Sequence, residues 1–326
     1  TTDKKAEKAV ASTEPLKAAW VYPSPRADEG WSKQHEEARM LIEQKYGDKI
    51  RTQVVDNVTN TVDAERVIRD LAAQGNKIIF ATSFTYMNPA LKVAKEFPDV
   101  KFENCTGYKT AANYSNYNAR FYQARYLAGK LAASMSKTAH LGYVAAMPIP
   151  EVLQGINAYT LGAQSVNPDV KVSVVWTNTW YDPGKEVDAT NTLIGQGCDI
   201  LTHHTDSTAV PATAESRGVK VISYHSAMTK TAPKQLIGAV THHWDEFYAK
   251  RIQAVMDGKW KVEPIWGGAE MHMVRLSNIS KDASKKVVDD INATYAKMEK
   301  QEFDVFTGPI VDNEGKVQIP EGKSAD

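Results

Sequence analysis

A strand–helix–strand unit that decides the fold lies in residues 18–55, AAWVYPSPRADEGWSKQHEEARMLIEQKYGDKIRTQVV. The apolar run 18–22 stops at a Pro-Ser-Pro loop and predicts a buried strand. The periodic stretch Trp31–Tyr46 predicts a helix that ends at Gly47, and residues 52–55 predict the next strand. Strands separated by helices of this size predict βαβ units around a parallel sheet.

The same alternation of strands and helices continues along the chain. In the first half, the pattern predicts helices at 62–74 and 89–96 and strands at 77–81 and 100–103. It then restarts, with predicted helices at 118–135, 152–166, 184–196 and 209–217 and predicted strands at 140–145, 172–176, 199–202 and 219–223. The last part predicts strands at 236–240 and 271–276, helices at 244–256 and 282–297, and a terminal hairpin within 303–319.

These elements predict an α/β protein with two doubly wound, Rossmann-like lobes joined by a hinge that the chain crosses more than once. We expect residues 17–115 plus 226–262 to form the N-terminal lobe. Residues 116–225 plus 263–326 are expected to form the C-terminal lobe with its hairpin. The polar, aperiodic residues 1–16 predict a disordered tether. The expected hinge segments are 113–116, 224–227 and 263–267.

Composition excludes several classes of function for the 326 residues. The 39 Lys and Arg residues balance the 39 Asp and Glu residues, and this zero net charge argues against nucleic acid as a partner. No apolar run approaches the ~18 residues of a membrane helix. The polar start lacks a secretory apolar core, so we interpret the chain as a mature or trimmed form. Cys105 and Cys198 fall in different predicted halves and imply no disulfide framework.

Aromatic and polar side chains follow the predicted strands. Open α/β sheets bind ligands at the carboxyl ends of their strands, so two facing lobes predict one cleft that closes about a hinge. Rings beside polar groups suit a flat heteroaromatic ligand or a sugar. For any single ring, packing in the core or hinge is an open alternative. The candidate residues are Asp28, Trp31, Phe84, Tyr86, Glu151, Trp180, Asp206, Tyr224 and His225.

Signatures of enzymes, cofactors and metals are weak. Gly195 and Gly197 follow a predicted helix and indicate a helix end rather than a dinucleotide loop. The sequence contains neither a phosphate-binding loop nor a nucleophile elbow. The doublets His203-His204 and His242-His243 follow predicted strands, and neighbouring residues on a strand point to opposite faces, so neither doublet readily gives two ligands to one ion. We predict no cofactor and no metal, and a single cleft histidine that donates a hydrogen bond to the ligand.

Short motifs along nearly the whole chain, from residue 17 to 319, resemble the basic membrane protein family, the purine-nucleoside receptors of ABC transporters. The order and spacing of these motifs carry the resemblance more than any one of them. They are GWSKQ (30–34), FPDVKF (97–102), YLAG (126–129), NPDVKV (167–172), QGCDI (196–200) and VFTGPI (305–310).

The resemblance implies an extracytoplasmic receptor with the two-lobed fold of a type I periplasmic binding protein, which captures a nucleoside and delivers it to a permease. It implies that Trp31 stacks on the base and that Asp28 is the acidic residue before it. It also places Glu151 and Asn157 at the second lobe's side of the site and Gly268 where backbone approaches the ligand. Many family members are lipoproteins, yet no cysteine precedes Cys105. We therefore expect either a trimmed anchor or a free periplasmic protein.

One departure from the family pattern concerns the sugar. Family members that hold ribose carry an aspartate shortly after the strand that here ends near Ser223, and Ala227 stands at that position. Alanine cannot make the charged hydrogen bond that orients a sugar diol. The hypothesis is therefore a purine base, adenine or another purine, with Tyr224 and His225 filling the vacated space. A nucleoside held by other groups, such as Asp206, stays open.

The alternatives to a monomeric receptor without catalysis are a hydrolase and a repressor. A hydrolase acting on nucleosides would use Asp28, Asp206 or His225 in the cleft, and it would release ribose. A sugar-controlled repressor shares this two-lobed core. No helix-turn-helix precedes Trp20, and the neutral charge also counts against a repressor.

Overall fold

The computed structural model describes residues 14–325, and they form two lobes, each built on a six-stranded sheet. The strands are β1 (Leu16–Val21), β2 (Ile50–Val55), β3 (Ile78–Ala81), β4 (Lys101–Cys105), β5 (Tyr114–Ala119), β6 (His140–Ala145), β7 (Lys171–Trp176), β8 (Ile200–His204), β9 (Lys220–His225), β10 (Leu236–His242), β11 (Ile265–Gly267), β12 (Val274–Ser277), β13 (Ile310–Val311) and β14 (Val317–Ile319). The helices are α1 (Trp31–Tyr46), α2 (Thr61–Ala73), α3 (Met87–Glu96), α4 (Phe121–Met135), α5 (Pro150–Val166), α6 (Pro183–Gly195), α7 (Ala209–Arg217), α8 (Asp245–Met256) and α9 (Lys285–Glu299).

The first lobe is a parallel sheet covered by helices on both faces. Its strand order is β11-β5-β4-β3-β1-β2, and every neighbouring pair is parallel. Alternate residues of β1 face opposite sides: Ala18 and Trp20 pack in the core that contains α1 and α8, whereas Ala19 and Val21 pack against α2 and α3. A strand that is buried on both faces has apolar residues on both of them, without alternation. This explains the apolar run 18–22 from which β1 was predicted.

The second lobe repeats the arrangement with one antiparallel edge. Its strand order is β12-β10-β9-β8-β6-β7, and only β12 runs against its neighbour β10. The two buried cysteines are unpaired, with Cys105 in the first lobe and Cys198 in the second. The predicted fold class, an α/β protein of two doubly wound lobes, is confirmed.

The chain passes between the lobes after β5, after β10 and after β11. The predicted division of the chain is therefore wrong in three segments. Residues 116–119 complete β5 of the first sheet, β10 belongs to the second sheet although 226–262 was assigned to the first lobe, and β11 belongs to the first although 263–326 was assigned to the second. Local sequence determines whether a segment forms a helix or a strand. The sheet that a strand joins depends on its pairing with strands distant in sequence.

The predicted hinge segments shift for the same reason. Residues 113–116 are the residue before β5 and the first three residues of that strand. Tyr224 and His225 are the last two residues of β9, which belongs to the second lobe. Only the segment 263–267 lies next to a crossing, the one that follows β11. Most of the predicted tether, 1–16, lies outside the described residues, and Leu16 already belongs to β1.

The predicted terminal hairpin is present. Strands β13 and β14 pair antiparallel, and Gly315 takes a positive φ of 83° in the turn between them. Glycine adopts this left-handed conformation without the steric cost that a side chain would add.

Candidate ligand-binding cleft

A cavity of about 700 Å³ lies between the lobes at the carboxyl ends of their strands. Each lobe contributes residues that immediately follow or end a strand, as the topology of open α/β sheets requires. The lining residues from the first lobe are Pro23, Trp31, Thr82, Ser83, Phe84, Thr85, Thr106 and Asn118. Those from the second lobe are Ile149, Pro150, Glu151, Trp180, His204, Asp206, Tyr224 and His225.

Four aromatic side chains line this cavity: Trp31, Phe84, Trp180 and Tyr224. The indole Nε1–H of Trp31 donates to the carbonyl oxygen of Thr82 at 2.7 Å, which fixes the orientation of the ring. Trp180 packs on the ring of His204 with 5.8 Å between centroids. Within residues 14–325, no aromatic contact joins Trp31, Phe84 and Trp180 to one another, so the space among them can receive a flat ring.

Asp206 and His225 form the most polar part of the wall. His225 Nε2 lies 3.1 Å from Asp206 Oδ1, and the same oxygen accepts the backbone N–H of Trp31 at 3.4 Å. Burial acts to raise the pKa of Asp206, but the hydrogen bond and charge of His225 and the N–H of Trp31 outweigh it and hold the pKa below its usual value. Asp206 therefore faces the cavity as a carboxylate.

The backbone of His225 is unusual. Its φ is 74°, in the left-handed region that non-glycine residues seldom occupy. Such a conformation costs roughly 1–3 kcal/mol and persists where the surroundings hold it, often at functional sites. Tyr224, beside it, lies between the cavity and the guanidinium of Arg125, which stands 4.4 Å from the ring centroid.

Glu151 is a second carboxyl group on the cavity wall, in the first turn of α5. Burial raises the pKa of Glu151 to about 7, although the positive charge of Arg125 acts to lower it. Glu151 can therefore exchange a proton near neutral pH, and it can act as a donor or as an acceptor toward a ligand.

Hydrogen bonds join the lobes at the rim of the cavity. The hydroxyl of Ser226 donates to the backbone oxygen of Glu29 at 2.7 Å, and the hydroxyl of Thr231 donates to the carboxylate of Glu29 at 2.7 Å. A Cβ added at Gly30 would lie 3.1 Å from both the backbone oxygen and Oδ1 of Asp206. The lobes thus meet closely along this edge of the cavity.

The structure brings seven of the predicted site residues to the cavity: Trp31, Phe84, Glu151, Trp180, Asp206, Tyr224 and His225. It places the other four elsewhere. Asp28 is exposed in the loop before α1, and Asn157 is exposed on α5. Tyr86 is buried in the core of the first lobe, where its hydroxyl donates to the carbonyl of Val58. Gly268 packs against Gln123 in the crossing after β11.

Sequence reasoning missed several cavity residues at strand ends. Thr82 directly follows β3 and Thr106 directly follows β4, so the rule that placed the aromatic residues also marks them. Asn118 was not identified as a site residue because it lies in β5, a strand that the sequence pattern did not predict. Its Oδ1 accepts the N–H of Ala119, and its Nδ2 donates to none of the described residues, which leaves an amide donor toward the cavity.

The doublet His203-His204 behaves as strand geometry predicts. His203 turns into the lobe, where its Nε2 accepts the backbone N–H of Tyr224 at 3.1 Å, whereas His204 lines the cavity. Among residues 14–325, no group of three or more His, Cys, Asp or Glu side chains is arranged to hold a metal ion. In the same part of the chain, no helix has the length and apolar character needed to cross a membrane.

A family model, Bmp, described as "ABC transporter substrate-binding protein PnrA-like", matches residues 16–306. The chain belongs to the Bmp family. Two sequence relatives cover most of it. A purine-binding protein of Brucella abortus is 48% identical over 320 residues, 98% of this chain and 91% of the relative. A protein of Haloferax volcanii, named as a candidate glucose-binding protein of an ABC transporter, is 36% identical over 301 residues, 92% of this chain and 76% of the relative.

Solved structures share the fold of this Bmp-family protein. A solute-binding protein from Conexibacter woesei aligns with a TM-score of 0.76 and 21% identity over 88% of this chain and 97% of that chain. A transcriptional activator of the comK gene from Bacillus halodurans aligns with a TM-score of 0.76 and 19% identity over 88% and 99%. At these identities the likeness shows the fold alone, and it confirms the predicted type I periplasmic binding protein architecture.

Membership of the Bmp family confirms the predicted class, a substrate-binding protein of an ABC transporter. It also confirms the extracytoplasmic location that belongs to this class. The lipid anchor and the monomeric state stay predictions.

Proposed function

We propose that this Bmp-family protein is a periplasmic receptor that binds a free purine base, adenine or another purine, in the cleft between its lobes and presents it to an ABC permease. The observation that carries the proposal is the cavity itself, where Trp31, Phe84 and Trp180 surround a space edged by Asp206, His225 and Glu151. Rings suit the faces of a purine, and the polar groups suit its edge. Stacking on an aromatic ring is worth ~1–3 kcal/mol per base.

The name of the Brucella abortus relative supports a purine over a sugar. At 48% identity over 98% of this chain, a shared ligand class is a reasonable inference, whereas the Haloferax volcanii relative, named for glucose, is 36% identical. The aromatic side chains of the cavity are compatible with either ligand, so the binding experiment below includes both.

The state of the two cavity carboxyl groups favours a base over a nucleoside. A carboxylate that clamps a ribose diol uses both oxygens, but Oδ1 of Asp206 already accepts bonds from His225 and Trp31. Glu151 has a pKa raised to about 7 by burial, so it is only partly ionised at neutral pH. Ala227, at the family's aspartate position, carries no polar side chain. The single free oxygen of Asp206 instead suits one N–H of a purine.

Calorimetry with purine bases, their nucleosides, ribose and glucose tests this proposal. We expect bases to bind most tightly, and a ligand at ~100 times its dissociation constant should stabilise the protein by about 2.7 kcal/mol. Tight binding of nucleosides alone would overturn the preference for a free base. Binding of glucose and of no purine would overturn the ligand class.

A matched pair of variants assigns the binding to this cavity. Trp180 lines it, whereas the neighbouring Tyr181 does not and is 60% exposed. We expect Trp180→Ala to weaken purine binding by about tenfold, since a stacked ring is lost. Tyr181→Ala should bind like the unaltered protein. Equal affinity of the two variants would place the ligand elsewhere.

A further inference from the structure

A continuous line of hydrogen bonds runs from the cavity wall into the crossing between the lobes. His225 Nε2 lies 3.1 Å from Asp206 Oδ1, and His225 Nδ1 lies 3.0 Å from His242 Nε2. The indole Nε1 of Trp244 lies 2.8 Å from His242 Nδ1. Asp206 and His225 line the cavity, whereas His242 and Trp244 are fully buried behind it.

The direction of every bond in this line follows from Trp244. An indole N–H is a donor only, so Nδ1 of His242 accepts. A neutral imidazole with one accepting nitrogen carries its proton on the other, so His242 Nε2–H donates to Nδ1 of His225. His225 therefore carries its proton on Nε2 and donates it to the carboxylate of Asp206.

Burial keeps His242 neutral, because it lowers the pKa of that imidazole well below its usual value. His225 cannot donate in both directions, since Nε2 of His242 already carries a proton and has no lone pair to accept one. The surroundings hold His242 in place: Gln34 Nε2 donates to its backbone oxygen at 2.8 Å, and its ring packs 4.8 Å from that of Trp31.

We propose that Trp244 and His242 are positioning residues that fix His225 as a donor to Asp206, so that Asp206 offers the ligand an acceptor and nothing else. The ligand class is thereby narrowed to molecules that bring an N–H donor to this point. The identity of the ligand rests on the proposed function. The assignment of donors and acceptors along the line of hydrogen bonds does not.

The geometry of Asp206 supports this role. Both donors from the protein, His225 Nε2–H and the N–H of Trp31, reach Oδ1. Oδ2 accepts a hydrogen bond from none of the described residues, and the side chain retains 27% exposure toward the cavity. A ligand atom with a lone pair at this position would face a carboxylate oxygen and be repelled, which gives selectivity against that ligand.

The first test is a ¹⁵N NMR measurement of histidine tautomers in the ligand-free protein. We expect both His225 and His242 to carry the proton on Nε2. Trp244→Phe, which keeps a ring but loses the donor, should give His242 a mixture of tautomers. Trp20→Phe is the matched control, a buried indole outside this line of bonds, and should leave the spectrum of His242 unchanged. An Nδ1-protonated form of either histidine in the unaltered protein would overturn the proposal, whether or not Trp244→Phe folds.

The second test uses adenines in which methyl groups replace the N–H donors at N9, N7 or the exocyclic nitrogen. Loss of a hydrogen bond to a charged group should weaken binding of at least one analogue by about tenfold. In Asp206→Ala, that analogue and adenine should bind within about twofold of each other. Equal binding of all analogues to the unaltered protein, or discrimination that persists in Asp206→Ala, would overturn the donor requirement. Failure of every purine to bind would overturn the proposed function alone, because the tautomer measurement needs no ligand.

Discussion

Oδ1 of Asp206, in the second lobe, lies 3.4 Å from the backbone nitrogen of Trp31, the first residue of α1 in the first lobe. A carboxylate at a helix N-terminus is stabilised by the helix dipole, typically by about 0.3–1 kcal/mol. Because the two residues belong to different lobes, this bond forms only when the lobes are together. Asp206 lines the cavity and also joins the two lobes, so we expect a ligand bound beside Asp206 to be coupled to closure of the cleft.

Removal of the Thr231 hydroxyl tests this coupling, because Thr231 does not line the cavity. Its hydroxyl donates to the carboxylate of Glu29 across the rim, so Thr231→Val removes a bond that joins the two lobes. We expect ligand affinity to fall by about two- to tenfold, as measured by calorimetry. Thr229→Val, at an exposed position two residues away, is the control. Unchanged affinity in Thr231→Val would mean that this rim contact does not contribute to closure.

The raised pKa of Glu151 predicts a dependence of stability on pH. The folded state binds the proton of Glu151 more tightly than the unfolded state does, so the free energy of unfolding falls as pH rises from 4.5 to about 7. Glu151→Gln removes this loss. We expect the variant to be more stable than the unaltered protein by about 1–3 kcal/mol at about pH 8, and nearly equal to it at about pH 4, in urea unfolding. Glu302→Gln, at an exposed position, is the control and should leave the free energy of unfolding unchanged. A stability difference between Glu151→Gln and the unaltered protein that does not vary with pH would contradict the prediction.

Most of the fold could be predicted because its elements carry strong local patterns. The bounds of α1, β6 and α7 were predicted to the residue. Strand β5 was missed because its sequence, YSNYNA, is polar although the strand is buried, and β11 because three residues carry no periodicity. Strand β5 pairs with β4 on one side and with β11 on the other, and β11 forms the edge of the first sheet, which no local pattern encodes.

The candidate site was predictable to the extent that strand ends define it. Trp180, Asp206 and His225 follow or end strands and reach the cavity. Tyr86 also follows a strand, but it lies in a 3-10 turn that directs its ring inward, and a loop without periodicity gives no sign of that direction. The contact between Asp206 and His225 joins the loop after β8 to the end of β9, so predicting it requires knowing that these two strands are neighbours.

His272 predicts a second, weaker pH effect at the crossing after β11. Its Nδ1 lies 2.9 Å from Glu246 on α8 and its Nε2 lies 3.1 Å from Glu299 on α9, so one imidazole bridges two helices. The hydrogen bond to Glu246, followed by the one to Glu299, raises the pKa of His272. The stability that His272 contributes is therefore fully present below its unfolded pKa of about 6.5 and is lost as pH rises through the folded value.

We expect His272→Gln to cost less than about 1 kcal/mol at about pH 6, because the ring is 41% exposed and solvent screens the pairs. At about pH 9 the cost should vanish. Urea unfolding at both pH values measures it, and about 1 M salt at the lower pH should reduce it. A cost that is equal at both pH values would show that the bridge acts through packing rather than charge.

The crossing of α4 and α5 depends on two glycines that face each other's helix. A Cβ at Gly129 on α4 would overlap the carbonyl oxygen of Tyr159, and one at Gly162 on α5 would overlap that of Tyr126. Backbone oxygens cannot move aside as a side chain can. We therefore expect Gly129→Ala and Gly162→Ala each to destabilise the protein by about 3 kcal/mol or more, although alanine favours an isolated helix by about 1 kcal/mol.

Gly195→Ala provides the matched control, since Gly195 ends α6 and nothing lies within 4 Å of an added Cβ. It should be neutral or slightly stabilising in the same urea titration. The crossing also sets the position of Arg125 on α4 relative to Glu151 on α5, and the charge of Arg125 acts to lower the pKa of Glu151. A Gly162→Ala protein that still folds should therefore show an altered pH dependence of stability, whereas Gly195→Ala should keep the original one. Full stability in either crossing variant would mean that the helices can separate without cost.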